Sequence, residues 1–511
     1  MHWLHIRRSL AANVPNAKAR NLQAAVLRHL GSNAEAQSVA RENVGMDPLD
    51  VWSRNEIVLA LRASGEATAS EMALRELSDL MQDQVQTYLD IAFDYAGAGL
   101  FDEAIDVLER LVGRSGYPML FYALGFFYQQ ISQPERAAEF YGRGSQALPD
   151  YCFPAQLQEM LILQSVLRAV PNDARACYYL GNLLYDKKRY EEAIENWERS
   201  CKLDDGFSIA WRNLGIAYYN VRQDPEKAAS CYRQAFAANR GDSRILYEMD
   251  QLDKRRGIPP RQRLAALEEE LDLVAQRDDL TVELVTLYNE IGDSQRSLEI
   301  LLARRFHPWE GGEGLVSAQY VAAHVILGWR SLEAARPHEA LDHFERARRH
   351  PANLGEGKHL LTPENHLHYF AGLARKALGD ADGSRRDFEQ AAAIQPRLSS
   401  MTYYRALAEK ELGHEEAASQ LLHELRDLAA GQLTAEVKVD YFATSLPNFL
   451  LFEDDLQKRN RVNSLYLIGL AQLGLGEATE AENCFREVLS LDVNHLEAQQ
   501  EMRWLRSVSS R

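Results

Sequence analysis

The sequence has no run of eighteen or more apolar residues, the shortest stretch expected to cross a bilayer as a helix. Its first ten residues, MHWLHIRRSL, lack the apolar segment of a secretory leader. Cysteine is also scarce: the five cysteines are scattered, and none forms a C-x-x-C pair. Such usage indicates buried thiols in a reducing compartment. These absences predict a cytoplasmic protein without a membrane segment.

Positive charge is in deficit. The chain has 57 basic and 74 acidic residues, a formal net charge of −17. Nucleic-acid binding requires a basic face to neutralise phosphates, so no nucleic-acid partner is expected. With 46% hydrophobic residues, the composition is that of a globular protein.

Motifs for catalysis, cofactors and metals are missing too. There is no P-loop, no G-x-S-x-G elbow and no H-E-x-x-H pair. Seven of the fourteen histidines fall between His324 and His368, but His366 and His368, two residues apart, would face different sides of a helix. The sequence therefore predicts no catalytic residue, no cofactor and no metal site.

What the sequence contains instead is a repeat of about 34 residues. Segments 174–204 and 208–239 each have Leu-Gly within a first helix, an alanine early in a second, and an aromatic residue four positions later. The glycine and aromatic pairs of six copies are Gly125/Tyr141, Gly181/Trp197, Gly215/Tyr232, Gly328/Phe344, Gly372/Phe388 and Gly469/Phe485.

This spacing has a physical reason. Glycine removes side-chain bulk where two helices cross, and the large residue fills the space beside the crossing. A single repeat cannot bury that face, whereas stacked repeats can. The pattern resembles the tetratricopeptide repeat and predicts an all-α superhelix, an α-solenoid, with about ten to twelve repeats.

The repeat is interrupted at several places. A GIPP break at 257–260 predicts two arrays, residues 1–257 and 258–511, and residues 261–277 read as one long amphipathic helix. Loop insertions are expected at 305–318, 351–366 and 428–461, which are rich in glycine, proline, asparagine and carboxylates. Long loops in a compact array are uncommon unless they are functional.

These loops, with the segments NAKARNLQAAVLRHLG (16–31) and DPLDVWSRNE (47–56), resemble the C-terminal half of a bacterial family of large tetratricopeptide proteins. Longer members of that family carry a leading mutarotase-like β-sandwich of unknown function. The resemblance spans nearly the whole chain but not the sandwich, so it implies either a fragment or a stand-alone relative. An activity that needs the sandwich is not implied for this chain.

The loops also contain candidate ligand-binding residues. Loops one repeat apart emerge on the same edge of a solenoid, so these groups are expected to converge. An aromatic plate with carboxylates is suited to a saccharide. The candidates are Trp309, Glu310, Glu313, Glu356, Lys358, Glu364, Asn365, Asp440 and Tyr441. The alternative is structural: the glycines make turns, Trp309 covers the core, and the carboxylates cap helices.

The function that the sequence favours is a non-catalytic scaffold that binds a protein or peptide partner in its concave groove. Asn182 and Asn213, beside the Leu-Gly pairs, are the candidate groove residues, because an asparagine can clamp a peptide backbone from two sides. The alternative is that both belong to an ordinary solvated surface. The second hypothesis is a carbohydrate-binding or carbohydrate-active module, resembling a glycoside hydrolase if it is an enzyme, with a site formed by the Trp309 and Glu356 loops. A sugar site would require an exposed Trp309.

Overall fold

The chain folds into α-helices joined by turns. A computed structural model describes residues 2–309, 311–359, 361–395, 399–437 and 451–509, and within these ranges there is no β-strand. The chain divides into two compact units, Met1–Leu214 and Gly215–Arg511. The helices of the first unit are α1 (His2–Ala12), α2 (Ala17–His29), α3 (Asn33–Met46), α4 (Val51–Ala63), α5 (Ala67–Met81), α6 (Val85–Gly97), α7 (Phe101–Glu109), α8 (Pro118–Gln130), α9 (Pro134–Gln146), α10 (Leu157–Ala169), α11 (Ala174–Asp186), α12 (Tyr190–Leu203) and the beginning of α13 (Ser208–Asn220).

The second unit continues the same pattern of helices. It contains the end of α13, then α14 (Pro225–Ala238), α15 (Ser243–Arg255), α16 (Pro260–Glu268), α17 (Leu271–Val274), α18 (Asp278–Ile291), α19 (Ser294–Ala303), α20 (Leu315–Glu333), α21 (Pro337–Ala347), α22 (Asn365–Ala377), α23 (Ala381–Ala393), α24 (Ser400–Glu411), α25 (Glu415–Thr434), α26 (Leu456–Leu475), α27 (Ala478–Leu491) and α28 (Leu496–Ser509). A short 3-10 helix, Ala352–Leu354, lies between α21 and α22.

Consecutive helices pack as hairpins, and glycine makes the close crossings possible. A Cβ atom added to Gly181 would lie 2.5 Å from the Trp197 ring, and one added to Gly372 would lie 2.6 Å from the Phe388 ring. The other four predicted glycine and aromatic pairs are in equally close contact. The predicted α-solenoid of helical hairpins is therefore confirmed. Within each unit the packed hairpins are α2/α3, α4/α5, α6/α7, α8/α9, α11/α12, α18/α19, α20/α21, α22/α23, α24/α25 and α26/α27.

Local sequence determines where many of these helices begin. The Asp173 side chain accepts a hydrogen bond from the Ala176 amide at 2.9 Å, and Asp455 accepts one from the Lys458 amide at 2.9 Å. Such N-caps satisfy amides that have no partner inside the helix. Proline occupies the first turn of several others, where its missing N–H costs nothing. The five cysteines are thiols, and four of them are buried, as predicted.

The last helix of the second unit packs across the first helices of earlier hairpins. The Trp504 ring of α28 lies with its centroid 5.0 Å from that of Trp329 on α20 and 6.1 Å from that of Phe370 on α22. The Arg503 guanidinium donates a hydrogen bond to the backbone carbonyl of Glu290, at the end of α18. The first helices of this array therefore share a face that α28 partly covers.

A buried ion pair connects the beginning of the second unit to its end. Arg263 on α16 donates to both carboxylate oxygens of Asp250, at 2.9 and 2.6 Å, and to Glu283 at 3.0 Å. Its remaining nitrogen donates to the Asn494 side chain, between α27 and α28, at 3.1 Å. Side chains 231 residues apart in sequence are thus joined in the interior.

Helices reach into all three segments for which loop insertions were predicted: α20 begins at Leu315, α22 at Asn365 and α26 at Leu456, while α25 ends at Thr434. Gly257, where the sequence places the division between arrays, follows α15 inside the second unit. The stretches between these helices are 304–314, 348–364 and 435–455, of which the structure describes 304–309, 311–314, 348–359, 361–364, 435–437 and 451–455.

The single helix predicted for residues 261–277 is wrong: the segment forms α16 and α17 with a break between them. In one continuous helix, Leu271 would share a face with Leu264 and Leu267. It is instead 45% exposed, whereas Leu273 is buried. The break changes which leucine faces the core.

Candidate functional site

The second unit has a cavity of about 570 Å³ on the face formed by its first helices. Side chains from α20, α22, α24 and α26, which begin four consecutive hairpins, line it, and α28 forms one wall. Segments 304–314 and 348–364 contribute residues to its rim. Its volume lies in the range of about 300–1,000 Å³ that is typical of ligand sites.

Backbone hydrogen bonds join the two segments. The Phe306 amide donates to the Asn353 carbonyl at 2.8 Å. The Asn353 side-chain amide donates to the carbonyls of Leu301 and Arg304, at 2.8 and 2.7 Å. These two carbonyls lie at the end of α19, where helical partners are missing, so Asn353 caps that helix. The rim is therefore fixed to the array rather than extended into solvent.

Glu356 makes a second connection between the segments. Its carboxylate accepts hydrogen bonds from the Gly314 amide at 2.7 Å, the Ser317 amide at 3.2 Å and the Ser317 hydroxyl at 2.9 Å. All three donors lie at the beginning of α20, where a negative charge is favourable. Glu356 lines the cavity, but its oxygens are engaged in capping this helix.

Trp309 lies outside the cavity lining. It is half-buried and packs against the small core around Phe306 and Tyr320. Its ring also lies over Gly312, where an added Cβ would be 2.0 Å from the indole. The exposed aromatic plate that a sugar site would need is not formed by this residue. Glu313, in contrast, is exposed at the rim of the cavity.

Of the next three candidates, two pair with each other and the third caps a helix. The Lys358 ammonium lies 3.0 Å from both carboxylate oxygens of Glu364, and both residues line the cavity. Asn365 is 0% exposed, and its amide donates to the carbonyls of Ala391 and Ile394, at 2.7 and 2.9 Å. Asn365 therefore holds the end of α23 and is not a rim residue. Glu310, Asp440 and Tyr441 lie outside the described residues.

The two groove asparagines of the first unit contact each other. Asn213 donates to the Asn182 side-chain oxygen at 3.0 Å, and the Trp197 indole N–H donates to the same oxygen at 3.1 Å. Both asparagines are half-buried. The Asn182 oxygen thus already accepts from two donors, Trp197 in its own repeat and Asn213 in the next repeat, and this contact joins α11 to α13.

The wall of the cavity contains residues that sequence reasoning missed. They are Tyr404 on α24, Tyr466 on α26, and Gln500, Glu501 and Trp504 on α28. A signal was present in the sequence: Glu501 stands three residues after Ala498 and four before Leu505, at positions that an amphipathic helix normally fills with apolar residues. An acidic residue at such a position indicates either a buried ion-pair partner or a ligand-binding site.

Burial sets the protonation of this wall. Burial, with a smaller contribution from Glu497, raises the pKa of Glu501 to about 8. Burial, with a smaller contribution from His368, lowers the pKa of His366 to about 4, so this imidazole is neutral at pH 7. The Glu501 carboxyl makes no hydrogen bond or ion pair with any residue that the structure describes.

Polar residues of the N-terminal segments that carry the family resemblance form buried hydrogen-bond networks. Asn21 donates to the Asp50 carboxylate at 3.0 Å. Arg28 donates to Glu56 at 2.8 Å and to Glu103 at 2.8 Å. Glu56 is fully buried. These polar residues therefore hold the first repeats together.

Within the described ranges, no three histidine, cysteine or acidic side chains are grouped so that they would hold a metal ion. None of the described helices combines the length and the apolar character needed to span a bilayer.

Two comparisons with family models identify the repeat. A model described as "TPR repeat" matches residues 181–221, and one described as "Tetratricopeptide repeat" matches residues 462–495. The tetratricopeptide repeats inferred from the glycine and aromatic spacing are confirmed at these positions. Repeats of this class support a protein-interaction scaffold in general.

Solved structures of repeat proteins resemble parts of the chain. MamA is 20% identical over 36% of this chain and 95% of its own, with a TM-score of 0.19. The protein pilF of Pseudomonas aeruginosa is 19% identical over 43% of this chain and 89% of its own, with a TM-score of 0.25. YrrB, described as a TPR protein with an unusual peptide-binding site, is 16% identical over 48% of this chain and 96% of its own, with a TM-score of 0.19.

Proposed function

We propose that this chain is a cytoplasmic, non-catalytic interaction protein that binds a peptide segment of a partner protein in the cavity of its second unit. The observation that carries the proposal is the position of the cavity, which is lined by four consecutive first helices and rimmed by two joined loops. A site held by helices and fixed loops is preorganised, which lowers the entropy lost on binding. The two asparagines of the first unit are a second candidate contact for the same partner.

The carbohydrate hypothesis has less support. Trp309 is half-buried against the core, Glu356 caps α20, and Glu364 is paired with Lys358. Among the described residues nominated for sugar binding, all except Glu313 are therefore engaged in contacts within the protein itself. A peptide, by contrast, would use the aromatic and aliphatic wall that these groups do not occupy.

The experiment selects peptides from a random display library on the immobilised chain and measures their affinities for two variants. Ala318→Trp places an indole in the cavity from the exposed side of α20, whereas Ala430→Trp makes the same change on an exposed position of α25 outside the lining. We expect Ala318→Trp to weaken the selected peptides by about tenfold or more, and Ala430→Trp to leave them unchanged.

Two results would overturn the proposal. One is the recovery of no peptide, or of peptides that bind both variants equally. The other is a saccharide that raises the melting temperature of the wild-type chain but not that of Ala318→Trp. That result would support the carbohydrate hypothesis for this cavity.

A further inference from the structure

The charges around the cavity are strongly unbalanced. Five acidic side chains line it, and among the described lining residues there are one lysine and no arginine. The acidic residues are Glu313, Glu356, Glu364, Glu497 and Glu501. The lysine, Lys358, is already paired with Glu364. An acidic lining of this kind attracts a cationic ligand and repels an anionic one.

An acidic cluster alone would not define a ligand, but Glu501 adds an independent observation. This residue is 3% exposed, lines the cavity, and makes no hydrogen bond or ion pair with a described residue. Buried carboxylates are normally paired or hydrogen-bonded, because desolvating the charge is costly. The raised pKa of Glu501 is the direction expected for a buried carboxyl without a cation beside it.

Gln500 provides a second unsatisfied group in the same wall. It is 8% exposed, and its side-chain nitrogen is buried without a hydrogen-bond partner in the described protein. This donor requires an acceptor, as the carboxyl of Glu501 requires a donor or a cation. A peptide supplies both kinds of group, since its backbone carbonyls accept and a basic side chain donates.

The rest of the wall suits the stem of such a side chain. Tyr404, Tyr466 and Trp504 are aromatic, and Val321 and Leu367 are aliphatic. Lysine and arginine bury their methylene stems against apolar surface, and their cations are attracted to aromatic faces. A short neutral polar residue would leave this surface uncovered, and an acidic residue would lie among five acidic side chains.

We infer that the cavity takes a lysine or arginine side chain of the partner's peptide, with the cation against Glu501 and the methylene stem between the aromatic residues. The inference rests on the proposed function and specifies the partner's chemistry. It makes Glu501 a specificity-determining residue and the partner segment basic.

The test uses glycine-flanked pentapeptides, blocked at both ends, with lysine, arginine, norleucine or glutamate at the centre. Their binding is measured by titration calorimetry on the wild-type chain, on Glu501→Gln and on Glu480→Gln. Glu480 is exposed on α27 outside the cavity lining, so it controls for the loss of one negative charge. Melting curves of each variant establish that it folds.

We expect the lysine and arginine peptides to bind the wild type at least about tenfold more tightly than the norleucine peptide, because a charge-assisted hydrogen bond is lost with norleucine. Glu501→Gln should remove this preference and leave the norleucine peptide unaffected, while Glu480→Gln should retain the preference. Equal binding of lysine and norleucine, an unchanged preference in Glu501→Gln, or no binding of any basic peptide up to about 10 mM would overturn the inference.

The failures of the inference and of the proposed function are distinguishable. Library peptides that bind in the cavity without a basic residue would overturn the inference and leave peptide binding standing. Basic pentapeptides that bind through Glu501, when the library yields no cavity-binding peptide, would support the basic-side-chain pocket and overturn the proposed partner-binding role.

Discussion

The carboxylate of Glu356 lies 2.9 Å from the hydroxyl of Ser317, although the two residues are 39 positions apart. The same carboxylate accepts from two amides at the beginning of α20. One side chain thus caps a helix and ties the second rim loop to the first. This contact and the hydrogen bond from Phe306 to Asn353 both join the two rim loops. Loss of the Glu356 contact should therefore affect the rim of the cavity before it affects the repeats.

Replacing Glu356 by alanine should lower the free energy of unfolding of the second unit by about 1–2 kcal/mol, the usual cost of losing a helix cap. Amide exchange should accelerate most in residues 311–317, where the donors lie. Glu313→Ala changes an exposed carboxylate next to these donors, in the other rim loop, and is the matched control. Identical exchange in the two variants would show that Glu356 does not hold the loop.

Adding a methyl group at a helix crossing should destabilise the repeat. A Cβ at position 181 would lie 2.5 Å from the Trp197 ring, so Gly181→Ala should cost about 1–3 kcal/mol. Gly142 is also inside a helix, but a Cβ there meets no atom within 4 Å. Gly142→Ala should therefore stabilise by about 0.5–1 kcal/mol. Denaturant unfolding of both variants measures the difference, and a change of the same sign in both would contradict the crossing geometry.

The stability of the second unit should depend on the charge of its buried arginine, Arg263. Arg263→Met removes a guanidinium that is 1% exposed, so Asp250 loses its buried cation and Glu283 keeps only Lys254. We therefore expect a loss of about 3–5 kcal/mol. Arg385→Met removes the exposed pair with Glu389 and should change stability little. Similar midpoints for both variants in urea would mean that Arg263 does not hold α16 to the α27–α28 turn.

The proton on Glu501 should make stability depend on pH. The pKa of this group is 4.5 when unfolded and about 8 when folded, so the folded chain binds the proton more tightly. The resulting stability is complete below about pH 4.5 and is lost as the pH rises toward about 8. The other titratable groups influenced by this carboxyl are Glu497, Tyr403, Tyr404 and Tyr466.

Glu501→Gln removes this titration. Between about pH 5 and pH 9, the free energy of unfolding of the variant should rise relative to that of the wild type by about 2–4 kcal/mol. Chemical denaturation at several pH values measures this difference, with Glu480→Gln as the control. Parallel stability profiles for wild type and Glu501→Gln would show that Glu501 keeps an ordinary pKa in the folded chain.

The candidate residues chosen from the sequence lie at the rim of the cavity, whereas its aromatic wall was not anticipated. Glu313, Glu356, Lys358 and Glu364 all line the cavity, because loops one repeat apart do emerge on the same edge. The roles of these residues could not be inferred from the sequence. Whether a carboxylate caps a helix or faces a ligand depends on which backbone amides lie within hydrogen-bond distance of it. Asn365 illustrates the limit: it stands in the same loop motif but is buried at the end of α23.

The sequence by itself determined the repeat, because the glycine and aromatic pairs that make a hairpin, such as Gly181 and Trp197, lie within one turn-connected unit. Only the tertiary structure decided that Glu501 faces the same cavity as Tyr404 and Glu356. Those residues are brought together by the rotation accumulated over several stacked repeats and by the packing of α28 across their first helices. No local sequence pattern encodes this accumulated rotation and packing. The cavity wall opposite the loops could therefore be identified only from the tertiary structure.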